Sequence, residues 1–324
     1  MTRSSRVDEK SRWSYTAANV MPWKLLRNDG YVMNGVILPV HLQLVPTNRC
    51  NQRCPWCSCS RVDRTLEMPI GEIKTVLSRF ASMGTRAVTI TGGGEPTLHP
   101  HIEDAICHAR KHSIEVGIAT NGILWGRSGA DLARMNEALT WVRMSVTDVF
   151  GPAPEERIVN LCRNLPDVDI GISFTVVKGV NVKTAIDVCR IADETGNLTH
   201  VRFVQDVFEL DNESMCQVVD ECQGITSKAI FQFREIFKPG AKRCLVSKLR
   251  PFVDVTGLVY PCCGVQEADP DDERRLPERF IMGHWMDFDR MKPFDGSLCR
   301  KCYYDRYNRV LENMVEPLRH ERFL

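Results

Sequence analysis

The sequence predicts an α/β protein: a parallel sheet covered by helices, followed by a smaller α+β region. Three observations carry this. Between residues 40 and 238, β-rich runs alternate with segments of helical spacing in six successive units. The β-rich runs are nearly continuous in apolar residues, as strands buried on both faces are. After about residue 240 the rhythm stops, giving way to a hairpin pattern, a charged loop and a Cys-x2-Cys that leads into one more helical segment. Six units fit either a doubly wound sheet or an incomplete barrel, and periodicity does not separate them. In both, ligands sit at the carboxyl ends of the strands.

The elements follow in order. Residues 1–39 are a mixed polar extension containing Trp13, Tyr15, Trp23 and Tyr31, expected to pack on the main domain. "VHLQLVP" (40–46) reads as the first strand. "IGEIKTVLSRFASMG" (70–84) reads as a helix with a terminal Gly suited to a C-cap. "RAVTITG" (86–92), "IEVGIAT" (114–120), "WVRMSVT" (141–147), "DIGISFTVV" (169–177) and "HVRFVQDV" (200–207) read as strands. Helices are expected at 101–113, 130–139, 154–165, 182–196 and within 216–237. "PFVDVTGLVYPCC" (251–263) reads as a hairpin with a Thr-Gly turn. The expected organisation is an extension over 1–39, an α/β domain over 40–238 and a small domain over 239–324.

Composition gives no sign of several classes. Lys and Arg total 42 against 41 Asp and Glu, a net charge of +1, which carries no signature of nucleic-acid or membrane-surface binding. No run approaches the apolar length of a transmembrane helix. The start, "MTRSSRVDEKSRWSYTAANV", has no apolar core, so no secretion signal is expected. Fourteen cysteines without such a signal point to metal or redox ligands in a reducing cytoplasm rather than to disulfides.

"TNRCNQRCPWCSCS" (47–60) places Cys50, Cys54 and Cys57 in a Cys-x3-Cys-x2-Cys pattern directly after the first strand, with Cys59 beside them. Three thiolates from one loop can hold three irons of a [4Fe–4S] cluster and leave the fourth open. A structural zinc site is an alternative, but zinc takes four closed ligands, and Cys59 lies only two positions from Cys57. A redox pair Cys54–Cys57 is another, without the expected thioredoxin-like setting. Cys59 has no assignment beyond a plain thiol. "TGGGEP" (91–96) follows the second strand, and a dinucleotide-type G-x-G-x-x-G is absent.

These two motifs together resemble the radical S-adenosylmethionine (SAM) enzymes, over about residues 40–238. The resemblance implies a partial (β/α)6 barrel. It implies that Cys50, Cys54 and Cys57 hold the SAM-binding [4Fe–4S] cluster, with Trp56 as the aromatic residue before the third cysteine. It implies that Gly93, Gly94, Glu95 and Pro96 hold the methionine ammonium of SAM, where glycine allows close backbone approach and the acid accepts from a cationic amine. Thr120 and Asn121 resemble SAM-contacting positions, and Ser145 the polar residue that meets the ribose or carboxylate. The implied reaction is reductive cleavage of SAM to a 5′-deoxyadenosyl radical, which takes a hydrogen atom from the substrate.

Cys244, Cys262, Cys299 and Cys302, with Cys263 as an alternative to Cys262, resemble the ligands of a twitch or SPASM-like extension holding one auxiliary [4Fe–4S] cluster. A zinc ribbon would suit the same spacing. The 17 residues between Cys244 and Cys262 resemble 2-deoxy-scyllo-inosamine dehydrogenase-type members. That implies oxidation of a small molecule with the auxiliary cluster as electron acceptor; modification of a peptide or a nucleotide is the alternative. A flavodoxin or ferredoxin is the implied electron donor. Lys178, Arg202, Gln205 and Asp206, after the fifth strand and around the sixth, are expected to point to the barrel mouth and contact substrate. His99 and His101 flank the Gly-rich loop. Cys107, Cys162, Cys189, Cys216 and Cys222 read as thiols within helical patterns, without ligand roles.

Overall fold

The computed structural model describes residues 21–28, 36–125, 131–147, 154–234, 238–266 and 275–316. Trp13, Tyr15 and Tyr31 lie outside them. A short helix, α1 (Met21–Leu26), precedes the sheet. Six β/α units follow: β1 (His41–Leu44), α2 (Ile70–Ser82), β2 (Ala87–Ile90), α3 (Ile102–Lys111), β3 (Glu115–Thr120), α4 (Leu132–Ala138), β4 (Leu139–Val146), α5 (Pro154–Asn164), β5 (Asp169–Val176), α6 (Val182–Glu194), β6 (Leu198–Gln205) and α7 (Asn212–Cys222). Adjacent strands from β1 to β6 pair in parallel and in order. This is the partial (β/α)6 barrel, and it separates the two readings that periodicity left open.

Strand alternation gives the barrel two unlike faces. Leu42, Leu44, Val88, Ile90, Val116, Ile118, Val142 and Ile172 are buried in the main core, against the helices. The opposite face carries polar residues, among them Gln43, Thr89, Arg143, Ser145, Ser173 and Arg202. Gly117 and Gly171 also stand on that face. A Cβ on Gly117 would collide with the Trp141 ring, and one on Gly171 with the His200 ring, so these two glycines make room for rings inside the barrel.

The ends of the helices show local causes. Asp131, Asn181 and Asp211 cap α4, α6 and α7 through side-chain oxygens that accept backbone N–H bonds. Gly84, at φ 106°, terminates α2 as its spacing predicted. Helix α6 stops instead at Glu194 with Thr195 extended, so Gly196 is no cap.

Two features depart from the sequence reading. The helix expected within 216–237 spans Asn212–Cys222, and a seventh parallel strand, β7 (Ala229–Gln232), follows and pairs with β6. It lies at the end of the sheet and is only half-buried, so it lacks the apolar run that marks a central strand. After the short helix α8 (Val246–Leu249), the hairpin β8 (Phe252–Val253) and β9 (Leu258–Tyr260) forms with Gly257 at φ 80°. The hairpin does not stand apart: β8 pairs in parallel with β1, and β10 (Gly283–His284) extends β9. The result is one ten-stranded sheet, β10-β9-β8-β1-β2-β3-β4-β5-β6-β7, continuous across residue 239.

Among the described residues the hydrophobic cores are nonetheless two. The second gathers Leu245, Leu249, Phe252, Tyr260, Phe280 and residues of the last helix, α9 (Asp305–Val315). Met21 and Leu25 of α1 belong to it, so the described N-terminal helix packs on the C-terminal region. Trp23 of the same helix is exposed.

Candidate functional site

The loop after β1 carries Cys50, Cys54 and Cys57, all half-buried, at the carboxyl end of the first strand. A turn closed by the Cys57 N–H on the Cys54 carbonyl, 3.1 Å, sets the second and third thiols. The thiols act on one another: burial first, then Cys57 and Cys50, push Cys54 up to about 11, and burial likewise raises Cys50. Trp56 is half-buried in the same turn. Among the described residues, no group of three or more His, Cys, Asp or Glu side chains is closed on a metal ion. The thiols stand within electrostatic reach without sharing a centre. Cys59 is buried and donates to the Gly92 carbonyl at 3.5 Å, which pins this loop to the Gly-rich one.

Glu95 organises the Gly-rich loop. Its Oε1 accepts from the Thr97 N–H (3.2 Å), the Thr97 hydroxyl (2.7 Å) and the Thr120 hydroxyl (2.6 Å), and its Oε2 from the Asn121 N–H (2.6 Å). Burial raises its pKa while each of these donors opposes the rise. Oε2 keeps acceptor capacity for an ammonium. Thr120 and Asn121, expected to touch SAM, here hold Glu95, and Asn121 also donates to Asn51 Oδ1 at 2.6 Å in the cysteine loop. Pro96 begins the turn that Glu95 caps. Gly93 and Gly94 have a packing cause besides ligand approach: a Cβ on either would strike Asn48 or the Arg49 carbonyl. The two loops lie backbone against backbone, and the Glu95 N–H donates to the Arg49 carbonyl at 2.8 Å.

Arg157 escaped the sequence reading. It sits on the buried face of α5, and Nη1 donates to the Asn121 carbonyl at 2.5 Å. Its Nε and Nη2 are buried without a hydrogen-bond partner, and the Cys54 thiol acts on it. Burial lowers its pKa. The signal was available: Arg157 is four residues before Leu161, so helical spacing puts it on the core face. His99 is structural. Its Nδ1 accepts from the His101 N–H, which leaves Nε2 to donate to the Met68 carbonyl at 3.0 Å. His101 is exposed.

The four expected substrate contacts separate. Arg202 faces the lumen and donates to Ser173 Oγ at 3.1 Å. Ser145 pairs with Ser173 at the same level, so it also faces the lumen, and it is exposed. Gln205 departs from the expectation. It is buried, and its amide donates to Asn212 Oδ1 (2.8 Å) and the Asp211 carbonyl while accepting from the Arg234 N–H. It shares strand parity with Val201 and Phe203 on the helix side, so it locks β6 to α7. Asp206 is buried and accepts from the Phe208 N–H at 3.0 Å in a turn, and Lys178 is exposed at the strand end.

The second cysteine set comes from three stretches of chain. Gly240 and Gly296 let residues 240–244 and 294–299 cross closely, since a Cβ on either would meet backbone of the other. This brings Cys244 to Cys299 and Cys302, and Cys262 acts on the same group from the end of the hairpin. Burial, then neighbouring thiols, push Cys244 up to about 12; burial does the same for Cys299. Both Cys262 and Cys263 act on Arg250 and Tyr304, and Cys263 acts on Arg143 besides. Cys262 is the one of the adjacent pair that Cys244, Cys299 and Cys302 all act on. Of the remaining thiols, Cys189 of α6 and Cys222 of α7 are buried and act on one another.

The fold is thus a parallel partial barrel with a thiol loop and a Gly-rich acidic loop at the carboxyl ends of β1 and β2. Residues 44–190 match the family model "Radical SAM superfamily", and the chain carries a radical SAM domain. PqqA peptide cyclase of Xanthomonas oryzae pv. oryzae is 31% identical over 130 residues, 40% of this chain and 34% of that protein. This chain thus matches about a third of the length of those curated relatives. SuiB of Streptococcus suis, solved with bound S-adenosylmethionine, superposes with a TM-score of 0.55 at 13% identity, over 72% of this chain and 63% of that one. The anSMEcpe structure with bound S-adenosylmethionine gives 0.52 at 17% identity, over 77% of this chain and 78% of that one. These likenesses show the fold.

Proposed function

We propose that this protein is a cytoplasmic radical SAM enzyme that cleaves SAM reductively and takes a hydrogen atom from a small-molecule substrate, oxidising it. The observation that carries the reading is the joint built by Glu95. One buried carboxylate ties the Gly-rich loop to the end of β3, and Asn121 ties that end to the cysteine loop.

The donor set fits a [4Fe–4S] cluster. Cys50, Cys54 and Cys57 supply three soft thiolates from one loop, and no carboxylate of that loop competes for the metal. When bound, the cluster and SAM supply an electron for breaking the sulfonium bond and a 5′-deoxyadenosyl radical for hydrogen abstraction. The chain's own groups do the holding. Glu95 Oε2 and the Gly93–Gly94 backbone would hold the ammonium of SAM. Arg157, with Nε and Nη2 buried and unspent beside Cys54, would take its carboxylate. Ser145 would reach the ribose from β4, and Trp56 would cover the thiol turn.

Cys244, Cys262, Cys299 and Cys302 fit a second, auxiliary [4Fe–4S] cluster of the twitch or SPASM type. Ligation by all four thiolates would leave no position for substrate, so the chemistry it would supply is electron transfer. A flavodoxin or ferredoxin supplies the first electron. A peptide substrate is the second reading, favoured by the similarity to PqqA peptide cyclase.

The test is iron and labile sulfide content after anaerobic reconstitution, paired with an assay for 5′-deoxyadenosine on adding dithionite and SAM. The expected result is about eight irons per chain, two clusters of four, with 5′-deoxyadenosine released. About four irons would leave the C-terminal cysteines to zinc or to nothing and remove the electron acceptor. Zinc without iron or SAM cleavage would sink the enzymatic reading and leave a zinc-binding module.

A further inference from the structure

Deep in the barrel, Arg143 of β4 and Arg202 of β6 stand on either side of β5, paired in register with Gly171 and Ser173. Both belong to the polar face of the sheet, and both keep part of their surface accessible although burial dominates their electrostatics. They therefore border open space inside the molecule. Their neighbours are cationic. Arg143 feels Arg250, and Arg202 feels Arg143 and Arg234. Among the described residues, the groups acting on them with the opposite sign are the Cys263 thiol, on Arg143, and the Tyr304 hydroxyl, on both; no described carboxylate does so.

Their hydrogen bonding is equally incomplete. Among the described residues, Arg143 has no hydrogen bond or ion pair, and its guanidinium lies 5.7 Å from the centre of the Trp141 ring. Arg202 donates to Ser173, but its buried Nε has no partner. Arg250, almost fully buried, donates to the Tyr304 hydroxyl at 2.6 Å and likewise leaves its Nε unpartnered. Guanidiniums buried together without an anion are strongly unfavourable, because each loses hydration and repels the others. A fold that retains such a group is complementary to a missing negative charge.

The clusters and SAM do not supply that charge at Arg202. The auxiliary thiols face Arg250, which feels both Cys262 and Cys263, and Cys263 also acts on Arg143, but neither acts on Arg202. The cysteine loop has its own arginine in Arg157, and none of Cys50, Cys54 or Cys57 acts on Arg143 or Arg202. Arg143 also precedes Ser145 by two residues along β4, farther from the carboxyl end where SAM binds.

We propose that Arg143 and Arg202 bind an oxyanion of the substrate, a carboxylate or a phosphate, inside the barrel, with Arg250 behind them. The planar guanidinium forks match either group in two-point contact. An anionic end anchored at this depth leaves the rest of the molecule directed to the strand carboxyl ends, where the cysteine and Gly-rich loops lie. The word substrate rests on the radical SAM reading above; the anion site itself rests on the arginines.

The test is calorimetric titration of inorganic phosphate and, separately, of succinate into the anaerobically reconstituted full chain at low chloride. The expected result is saturable binding of one of them at one site, weakened about tenfold to a hundredfold by Arg143→Gln or Arg202→Gln. Arg202→Lys keeps the charge but not the fork and should lose less. The anion that binds identifies the group as phosphate or carboxylate. Absence of saturable binding to the unsubstituted chain, or equal binding by the double Gln variant, would overturn the proposal. So would Gln variants that leave anion binding intact while lowering iron content or SAM affinity, since the arginines would then serve the cofactors. If the Gln variants fail to melt cooperatively, Arg202→Lys decides by whether its anion affinity falls. Absence of iron and of SAM cleavage would remove the radical reading without touching this titration.

Discussion

The two cysteine sets are built in opposite ways. Cys50, Cys54 and Cys57 share one half-exposed loop, and their placement is local. Cys244, Cys262, Cys299 and Cys302 come from separated stretches, and Cys262 and Cys299 are members of the second hydrophobic core. The first set depends on its surroundings to hold it: Cys59 on Gly92, Asn51 on Asn121, and Glu95 beneath both loops. The second set is held by the fold itself, through the Gly240–Gly296 crossing and the end of the β8–β9 hairpin. A site made by one loop can be lost without the fold, whereas a site made by the fold cannot.

The largest expected effect breaks the comparison at its centre. Cys54→Ala should abolish 5′-deoxyadenosine formation in the reconstituted protein, a loss beyond about a thousandfold, while the melting temperature of the cluster-free chain stays within about 2 °C, because the side chain is half-exposed and packs no core. Cys262→Ala should lower the melting temperature of the cluster-free chain by about 5 °C or more, because the variant loses a buried side chain of the second core. Melting curves and iron counts on the two variants decide it. Equal destabilisation by both would show that the two sites are built alike.

A middle effect sharpens the role of the surroundings. Glu95→Gln preserves shape, but all four groups bonded to the carboxylate are donors, so the new amide N–H₂ must face at least one of them. The expected cost is about 1–3 kcal/mol in stability. SAM affinity should fall about tenfold or more, measured by equilibrium binding to the reconstituted protein. Unchanged SAM affinity with lowered stability would leave Glu95 as a structural joint only.

What was legible in the chain follows the same division. The six β/α units could be read because their central strands are buried on both faces and carry apolar runs that need no knowledge of their partners. The Cys-x3-Cys-x2-Cys and Gly-Gly-Glu-Pro motifs could be read because each is a single loop. β7 was missed because an edge strand with half-buried residues looks like the helix tail before it. The pairing of β8 with β1 joins Phe252 to Gln43, a contact that no local pattern announces. Gln205 was misplaced because its direction depends on strand parity: β6 begins at Leu198, which puts Gln205 with Val201 and Phe203 on the helix side. Arg202 was legible as a substrate contact by its place on the sixth strand, but Arg143 was not, because only the barrel brings the two together, with no acid among the described residues acting on either.

The smallest effect concerns the seam between the two cores. Lys24 of α1 donates to His41 Nδ1 at 3.0 Å, and His41 Nε2 contacts the Thr89 hydroxyl at 2.8 Å, at the amino end of the barrel. Burial first, and then Arg250, lower Lys24 to about 7. His41 is held well below its ordinary range by burial, Lys24 and Arg250, so it stays neutral above pH 7 and adds nothing to the slope there. Above pH 7 the folded chain has released the Lys24 proton while the unfolded chain keeps it up to about 10.5. The unfolded state then binds more protons, so this residue makes stability rise with pH through that window. Lys24→Met should therefore be more stable than the unsubstituted chain at pH 7, with the gap narrowing by about 1–2 kcal/mol toward pH 9 after screening at a partly accessible site. Denaturant melts at several pH values measure the gap. A constant difference would mean that α1 leaves the barrel floor in solution, and the second core would then hold the helix without coupling it to the first.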